Sequence, residues 1–485
     1  MKNEYFCAYI AGKWVKGEQY FKSSNPSTNE TLGFFPKCTK KQIISAIEEA
    51  YKAQKKWRNV PAPKRAQILF KSSQIMKEEK ERLSRILTKE MGKVLKEARG
   101  DVQEAIDIFE YMAGEGRRLF GNTTTSELED KFCMTIRRPI GVVGIISPWN
   151  FPIAVPSWKI APALICGNSI VFKPSSKTPL CALEMIKILI RAGVPEGVIN
   201  LVFGEGEEVG GEIVKNEKVG AISFTGSKET GEWILKNAGV KKVGLELGGK
   251  NPIIVMEDAD LENAADGIVW GAFGTSGQRC TATSRVIAHK KIKKKLIEIL
   301  LEKTKKIRIG DGLDEKNQMG PLIDISAVER VEKYIQIGES EGAKCILKGK
   351  RVGSKGFFFE PTIFDEVKPQ MRIAKEEIFG PVLSILEFEK IEDAIEIANS
   401  VEYGLSSAIY TKDMKAAFYA IKNIESGITY INSSTIGAET HLPFGGVKKT
   451  GNTREAGIMG IDEFSEIKTV YIDYSGKLQK AQIDS

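Results

Sequence analysis

Cys280 closes the run Gly277-Gln278-Arg279-Cys280, and Glu246 opens Glu246-Leu247-Gly248-Gly249-Lys250 34 positions earlier. Together they offer a nucleophile and a base. The thiolate, rather than the thiol, attacks an electrophilic carbon, and a free thiol titrates near ~8.5, so such a site has to supply activation. A carboxylate close to two glycines stands beside backbone that can turn sharply at a crowded place. Neither half is specific alone. A lone cysteine is more often inert core filling than a nucleophile, and Glu246 can be a structural carboxylate bracing the Gly248-Gly249 turn. A third segment narrows the choice: Pro148-Trp149-Asn150-Phe151-Pro152, followed 23 residues after Asn150 by Lys173-Pro174. The Asn150 amide donates hydrogen bonds without carrying charge, which suits a developing oxyanion; the bland alternative is a turn cap.

The bulk of the chain limits what these residues can belong to. At 485 residues it exceeds one ordinary core and predicts two or three domains. Hydrophobic residues make up 42% and charged residues 28%, as in a water-soluble globular protein. No run approaches the roughly 18 apolar residues of a spanning helix, and Met1-Lys2-Asn3-Glu4-Tyr5 lacks a signal peptide's apolar stretch. No membrane partner and a cytoplasmic home are the expectations. Seven scattered cysteines without a CxxC pair, and two histidines, His289 and His441, argue against a disulfide framework and against a metal site. The net charge of +8 is spread along the chain. Its densest run, Lys290 to Lys295, reads as a solvated helix start, and no basic–aromatic interleaving points to nucleic acid.

Several elements must position the chemistry. Residues 40–118 show apolar positions recurring every three or four, as helices do. From about residue 140 short apolar runs alternate with helices: Ile140–Ile146, Ser169–Lys173, Val198–Phe203, Val219–Phe224 and Val243–Glu246 read as strands. That alternation predicts a parallel, doubly wound sheet. A second series starts at Pro252–Met256. It continues through a helix capped at Asp258-Ala259-Asp260 and the strand-like runs Val286–Ala288, Pro381–Phe388 and Ile428–Asn432. Asp130–Arg138 and Thr469–Asp473 are β-like, with no evident place in either core. A nucleotide needs its own site, and no GxGxxG follows a strand. Gly204-Glu205-Gly206 with Gly210-Gly211 is a near miss. Phe224-Thr225-Gly226-Ser227 is better, because a small-residue turn entering a helix exposes backbone N–H groups to a phosphate. Glu232 stands where a P-loop needs lysine, so nucleotide hydrolysis is not the reading.

Four motifs in this order and spacing make the chain resemble the aldehyde dehydrogenase superfamily from about residue 8 to about residue 472. The resemblance implies an α/β fold of two doubly wound Rossmann-like domains with a small β oligomerisation arm. The expected boundaries are 1–118 with 140–248 for the cofactor domain and 249–448 for the catalytic domain. Residues 119–139 and 449–485 form the arm and tail, and a homodimer or homotetramer follows. It implies Cys280 as nucleophile, Asn150 as oxyanion donor and Glu246 as the base that hydrolyses a thioester to a free acid. For NAD or NADP it implies Trp149, Gly226 and Ser227 near the pyrophosphate, Lys173 at the adenosine ribose, and Glu377 with Phe379 at the nicotinamide ribose; plain core is the other reading of Phe379. Family members often carry an acidic residue three positions after that lysine. Ser176 stands there instead, so NADP is expected to serve at least as well as NAD, with Lys177 adding charge or pointing to solvent.

The aldehyde pocket is expected around Val155, Trp158, Arg279, Thr281 and the Thr435–His441 loop. Arg279 either grips a distal carboxylate or braces its own loop. Succinate-semialdehyde relatives often carry arginine at the Trp158 position. The segment 443–452 is similar to 2-oxoglutarate- and aminoadipate-semialdehyde relatives, and 158–179 to archaeal glyceraldehyde dehydrogenases. A small semialdehyde is the first expectation and glyceraldehyde the alternative. Two other classes stay open: a non-catalytic descendant, and a cysteine hydrolase using His289 or His441. His289 is expected at the surface and His441 at the substrate mouth.

Overall fold

A computed structural model describes residues 4–483. Its architecture rests on two seven-stranded sheets. In the first, strands 242–246, 219–225, 142–146, 169–173 and 199–201 lie side by side in that order and run parallel. Strands Ala8–Ile10 and Lys13–Val15 extend its edge antiparallel, an addition the periodicity did not announce. Followed along the chain, the order runs outward from 142–146 in one direction and then restarts from 219–225 in the other. Ligands of open α/β sheets bind at the carboxyl ends of strands where the order reverses in this way. The turns Ser147–Asn150 and Gly226–Ser227 leave those two carboxyl ends.

The second sheet runs 344–347, 362–365, 382–388, 283–289, 251–255, 406–410, 428–431 and is parallel except for its first pair. The two sheets are joined along the chain by the four residues Leu247 to Lys250: Glu246 ends a strand of one and Asn251 begins a strand of the other. The strand residues that flank it, Gly244 to Glu246 and Asn251 to Val255, are buried, so a short crossing between two cores carries the candidate base.

Helices cover the sheets for reasons visible in their patterns. Leu95–Glu115 buries Leu95, Ala98, Val102, Ala105, Ile106, Phe109 and Met112, spaced as one face of a helix requires. Ala154–Ile165 is apolar all round and buried along almost its whole length, with Lys159 as its one charged residue. Asp260 caps the helix Leu261–Phe273 by accepting from Glu262 N and Asn263 N.

A third, three-stranded sheet stands apart, ordered 465–473, 131–139, 123–125. The two segments with no evident place in either core pair with each other, antiparallel from Ser465↔Pro139 to Asp473↔Lys131. The 465–473 strand forms the sheet's edge, and Ile467, Tyr471 and Ile472 on it are exposed. The first three and last two residues of the expected terminal segments lie outside the described residues.

Candidate active site

Cys280 lies on the loop that follows the helix Leu261–Phe273. Thr275 and Ser276 there hold left-handed backbone, with φ of 50° and 56°. Gly277 follows at φ +71°, where a Cβ would come within 2.3 Å of the Gly380 carbonyl oxygen. Glu97 holds the turn from below: its carboxylate accepts from Thr275 N at 2.9 Å, Thr275 Oγ1 at 3.2 Å and Arg279 Nη2 at 3.0 Å. Gln278 is buried and accepts from Ile323 N at 2.9 Å while donating to Thr275 O and Pro321 O.

Asn150 is 5% exposed and donates from Nδ2 to the Gln278 carbonyl at 3.0 Å. That bond fixes the amide two residues from Cys280. Primary amides have two N–H donors, so the other N–H and the Cys280 backbone N–H remain for a substrate oxygen. The Asn150 turn is held as the thiol loop is. Asp101 Oδ1 accepts from Ala154 N at 2.7 Å, and Asp101 Oδ2 pairs with fully buried Lys93 at 2.9 Å. The Lys93 ammonium lies 3.5 Å from the centre of the Phe151 ring. Glu97 and Asp101 sit four residues apart on the Leu95–Glu115 helix, so one helix face grips both loops.

Glu246 is 3% exposed, and neither carboxyl oxygen has a hydrogen-bond partner among the described residues. Gly445 packs against it so closely that a Cβ there would lie 2.6 Å from Oε1. Behind Glu246 lies a buried polar chain. Lys159 pairs with Glu455 and donates to Ser223 Oγ at 3.0 Å, and Ser223 Oγ donates to Glu463 at 2.8 Å. Burial raises the Glu246 carboxyl well above the usual range, and Glu455 adds to the effect. Burial likewise pushes the Cys280 thiol up to about 12, with Glu246 and Glu377 contributing. Both shifts favour the protonated forms.

Cys280 and Glu246 line one cavity of about 950 Å³ together with Val155, Trp158, Arg279, Thr281 and His441. Trp158 meets Phe444 edge-on at 4.7 Å, forming an aromatic wall. One expectation, for His289, needs correction, and the two open choices for Arg279 and Lys177 are narrowed. Arg279 does not wait free for a carboxylate: Glu97 and Thr275 hold it, and its guanidinium lies 5.3 Å from the Phe151 ring centre. His289 is buried, not superficial: its ring meets Phe388 edge-on, and its Nε2 bonds the Glu389 carbonyl. It ends a seven-residue strand that begins three residues after Cys280, roughly 20 Å of extended chain away. Lys177 stays exposed and pairs with Asp324 beside the Trp149 ring. His441 stays at the cavity rim, exposed, 3.5 Å from Glu439.

On the other side, the residues expected around a dinucleotide gather at the strand ends of the first sheet. Ser227 caps the helix Lys228–Asn237 by accepting from Thr230 N, with Gly226 just before it. Lys173 ends its strand, buried, its ammonium bonded to the Pro174 carbonyl and lowered by burial to about 8. Ser176 Oγ donates to Gly204 O at 2.9 Å. Glu377 accepts from Gly249 N at 2.9 Å and crowds Gly248, where a Cβ would lie 2.3 Å from its oxygen. Trp149 and Phe379 meet edge-on at 5.5 Å. A helix N-terminus, a buried lysine and a carboxylate beside a glycine pair fit a dinucleotide with two phosphates and two riboses.

Sequence reasoning missed Lys159, Glu455, Glu97 and Asp101. Lys159 left a signal, as the single charge in an apolar helix. Glu97 and Asp101 left a weaker one, carboxylates at i and i+4 facing inward. Among the described residues, no group of three or more His, Cys, Asp or Glu is placed to hold a metal, and no helix is long and apolar enough to cross a membrane.

A family model described as "Aldehyde dehydrogenase family" matches residues 14–470. An alpha-ketoglutaric semialdehyde dehydrogenase of Bacillus subtilis is 41% identical over 474 residues, 96% of this chain and 97% of the relative. A lactaldehyde dehydrogenase of Methanocaldococcus jannaschii is 42% identical over 468 residues, 96% of this chain and 99% of the relative. The crystal structure of an NAD-dependent aldehyde dehydrogenase from Sinorhizobium meliloti superposes with a TM-score of 0.96 at 35% identity, covering 99% of this chain and 97% of that one.

Proposed function

Since the chain belongs to the aldehyde dehydrogenase family, we propose that it oxidises a short polar aldehyde to the free carboxylic acid through Cys280, Asn150 and Glu246. The observation that carries this reading is the shared cavity: thiol and unpartnered carboxyl line it together, with the Asn150 amide tied to the thiol loop. Cys280 Sγ loses its proton to solvent water in the cavity and bonds the aldehyde carbon, and the former carbonyl oxygen takes the negative charge. Asn150 Nδ2 and the Cys280 N–H are placed to hold that charge. When bound, the nicotinamide supplies the acceptor for the hydride that leaves the thiohemiacetal carbon. Glu246 then takes a proton from water, the water oxygen bonds the thioester carbon, and the carbon–sulfur bond breaks to release acid and thiolate. Glu455 and Lys159, directly behind, offer that proton an exit. A free acid rather than a transferred acyl group follows from a carboxylate standing in this place. Cys280→Ala tests the scheme: aldehyde-dependent cofactor reduction disappears while cofactor binding persists, and normal turnover would overturn it.

The substrate reading has two branches. The Bacillus subtilis relative supports a carboxylated semialdehyde such as 2-oxoglutarate semialdehyde. The Methanocaldococcus relative, of nearly equal identity, supports a hydroxyaldehyde, with glyceraldehyde in the same class. The commitment of Arg279 to Glu97 favours the second branch.

For the cofactor, NAD(P) use follows from the family, and we favour NADP at least equally with NAD. A carboxylate at the adenosine ribose would repel a 2′-phosphate; Ser176 stands at that turn, with Lys173 beside it. An NAD preference above tenfold in kcat/KM, about 1.4 kcal/mol, would defeat this.

A further inference from the structure

Glu104 lines the Cys280 cavity. On the Leu95–Glu115 helix, Glu97, Asp101, Glu104 and Asp107 follow one another at intervals of four, three and three, a stripe along one face, and all four line the Cys280 cavity. Three of them are already engaged. Glu97 holds Arg279 and the thiol loop, Asp101 holds Lys93 and Ala154 N, and Asp107 accepts from Gln103 Nε2 at 2.7 Å. Glu104 makes no hydrogen bond and no ion pair among the described residues. The cations that could have answered it, Lys93 and Arg279, are both committed to its neighbours. Of the cationic residues lining the cavity, Lys96 alone makes no ion pair, and it lies exposed at the helix start, two turns from Glu104.

We propose that Glu104 receives the distal end of the substrate and selects aldehydes whose far end donates hydrogen bonds, a hydroxyl or an ammonium, over those ending in a carboxylate. The inference rests on the aldehyde oxidation proposed above and names its substrate class. An ionised carboxylate only accepts hydrogen bonds, whereas a protonated one also donates, so a donor is its complement once it has ionised. A second carboxylate brought against the ionised form meets like charge, and like charges so placed disfavour each other strongly. Burial and the adjacent Asp101 push the Glu104 carboxyl up to about 8. An arriving ammonium favours ionisation, and the preference against a carboxylate is fullest above that pH.

The test uses the intact enzyme at about pH 9, above the Glu104 value, and four aldehydes of similar length: glyceraldehyde, 3-aminopropanal, succinic semialdehyde and butanal. The parent enzyme is expected to show at least tenfold higher kcat/KM for glyceraldehyde and 3-aminopropanal than for succinic semialdehyde. Glu104→Gln should lower the 3-aminopropanal value at least tenfold and raise the succinic semialdehyde value at least tenfold, leaving butanal within twofold. Glu104→Arg should carry the reversal further. Butanal reports on the thiol chemistry alone and separates a lost contact from a damaged site. A parent preference for succinic semialdehyde overturns the proposal, and so does an equal shift of all four substrates or none. Failure to oxidise any aldehyde would instead sink the functional reading beneath it.

Discussion

Glu246 combines two properties that oppose each other, a reactive position and a poor electrostatic environment. Its burial without a partner favours the protonated form. As a general base it must lose that proton, so turnover limited by thioester hydrolysis should climb as pH rises from neutral into the alkaline range. Glu246→Gln should lower kcat by roughly 10²–10⁴-fold and flatten that climb, while the first turnover still releases a burst of reduced cofactor. A single-turnover measurement beside the steady state separates the two phases; an unchanged pH profile would remove Glu246 from the mechanism. The same environment acts on stability. In the unfolded chain this carboxyl ionises in the ordinary carboxylate range, whereas in the fold its affinity for a proton is higher. The favourable contribution is therefore complete below the ordinary range and is lost as pH rises through the folded value. Glu246→Gln should accordingly melt later than the parent at pH 8, and an earlier melt would contradict the sign. Asn150→Ala, by contrast, should cost roughly 10²–10³ in kcat with little change in melting.

At the scale of elements, the Leu95–Glu115 helix does more than cover a sheet. Through Glu97 and Asp101 it sets the distance between the thiol loop and the Asn150 turn. Glu97→Gln should keep the fold and loosen the thiol loop, lowering kcat roughly 10- to 100-fold and changing the alkylation rate of Cys280 while cofactor affinity holds. Unaltered alkylation and kcat would show that the loop stands without it. Asp101→Asn strands the buried Lys93 ammonium and should destabilise by about 3–5 kcal/mol, readable as a lower denaturant midpoint. These roles were poorly legible in the sequence, for a physical reason. Strands of the parallel sheets announce themselves because burial on both faces makes them apolar runs; Ser169–Lys173 is found with both ends correct. A carboxylate facing inward from an amphipathic helix looks like any solvated carboxylate until its partners, Thr275 and Ala154, are brought to it from 178 and 53 residues away. Arg279 is the same case: beside a cysteine it reads as a substrate ligand, and Glu97 redirects it. The edge strands at 8–15 and 344–347 were missed because an edge needs little hydrophobic pattern.

At the scale of the whole molecule, the three-stranded sheet offers an exposed edge bearing Ile467, Tyr471 and Ile472, with Phe132 and Ile136 exposed on the neighbouring strand. An open apolar edge invites pairing with another chain, and native mass spectrometry at micromolar concentration should show a homodimer or a dimer of dimers; a monomer would contradict it. The loop that holds Cys280 places a different demand on the molecule. Thr275 and Ser276 sit back to back in left-handed backbone, a state costing of order 1–3 kcal/mol for each such residue. Glu97, Gly320 and Gln278 hold them there. That loop is a sprung catch fastened to a much sturdier frame. Warming should release the catch before the frame yields, so activity disappears at temperatures where circular dichroism still reports an intact protein. Cooling within minutes should restore it. The enzyme's upper working temperature would then be set by four residues of loop rather than by either sheet.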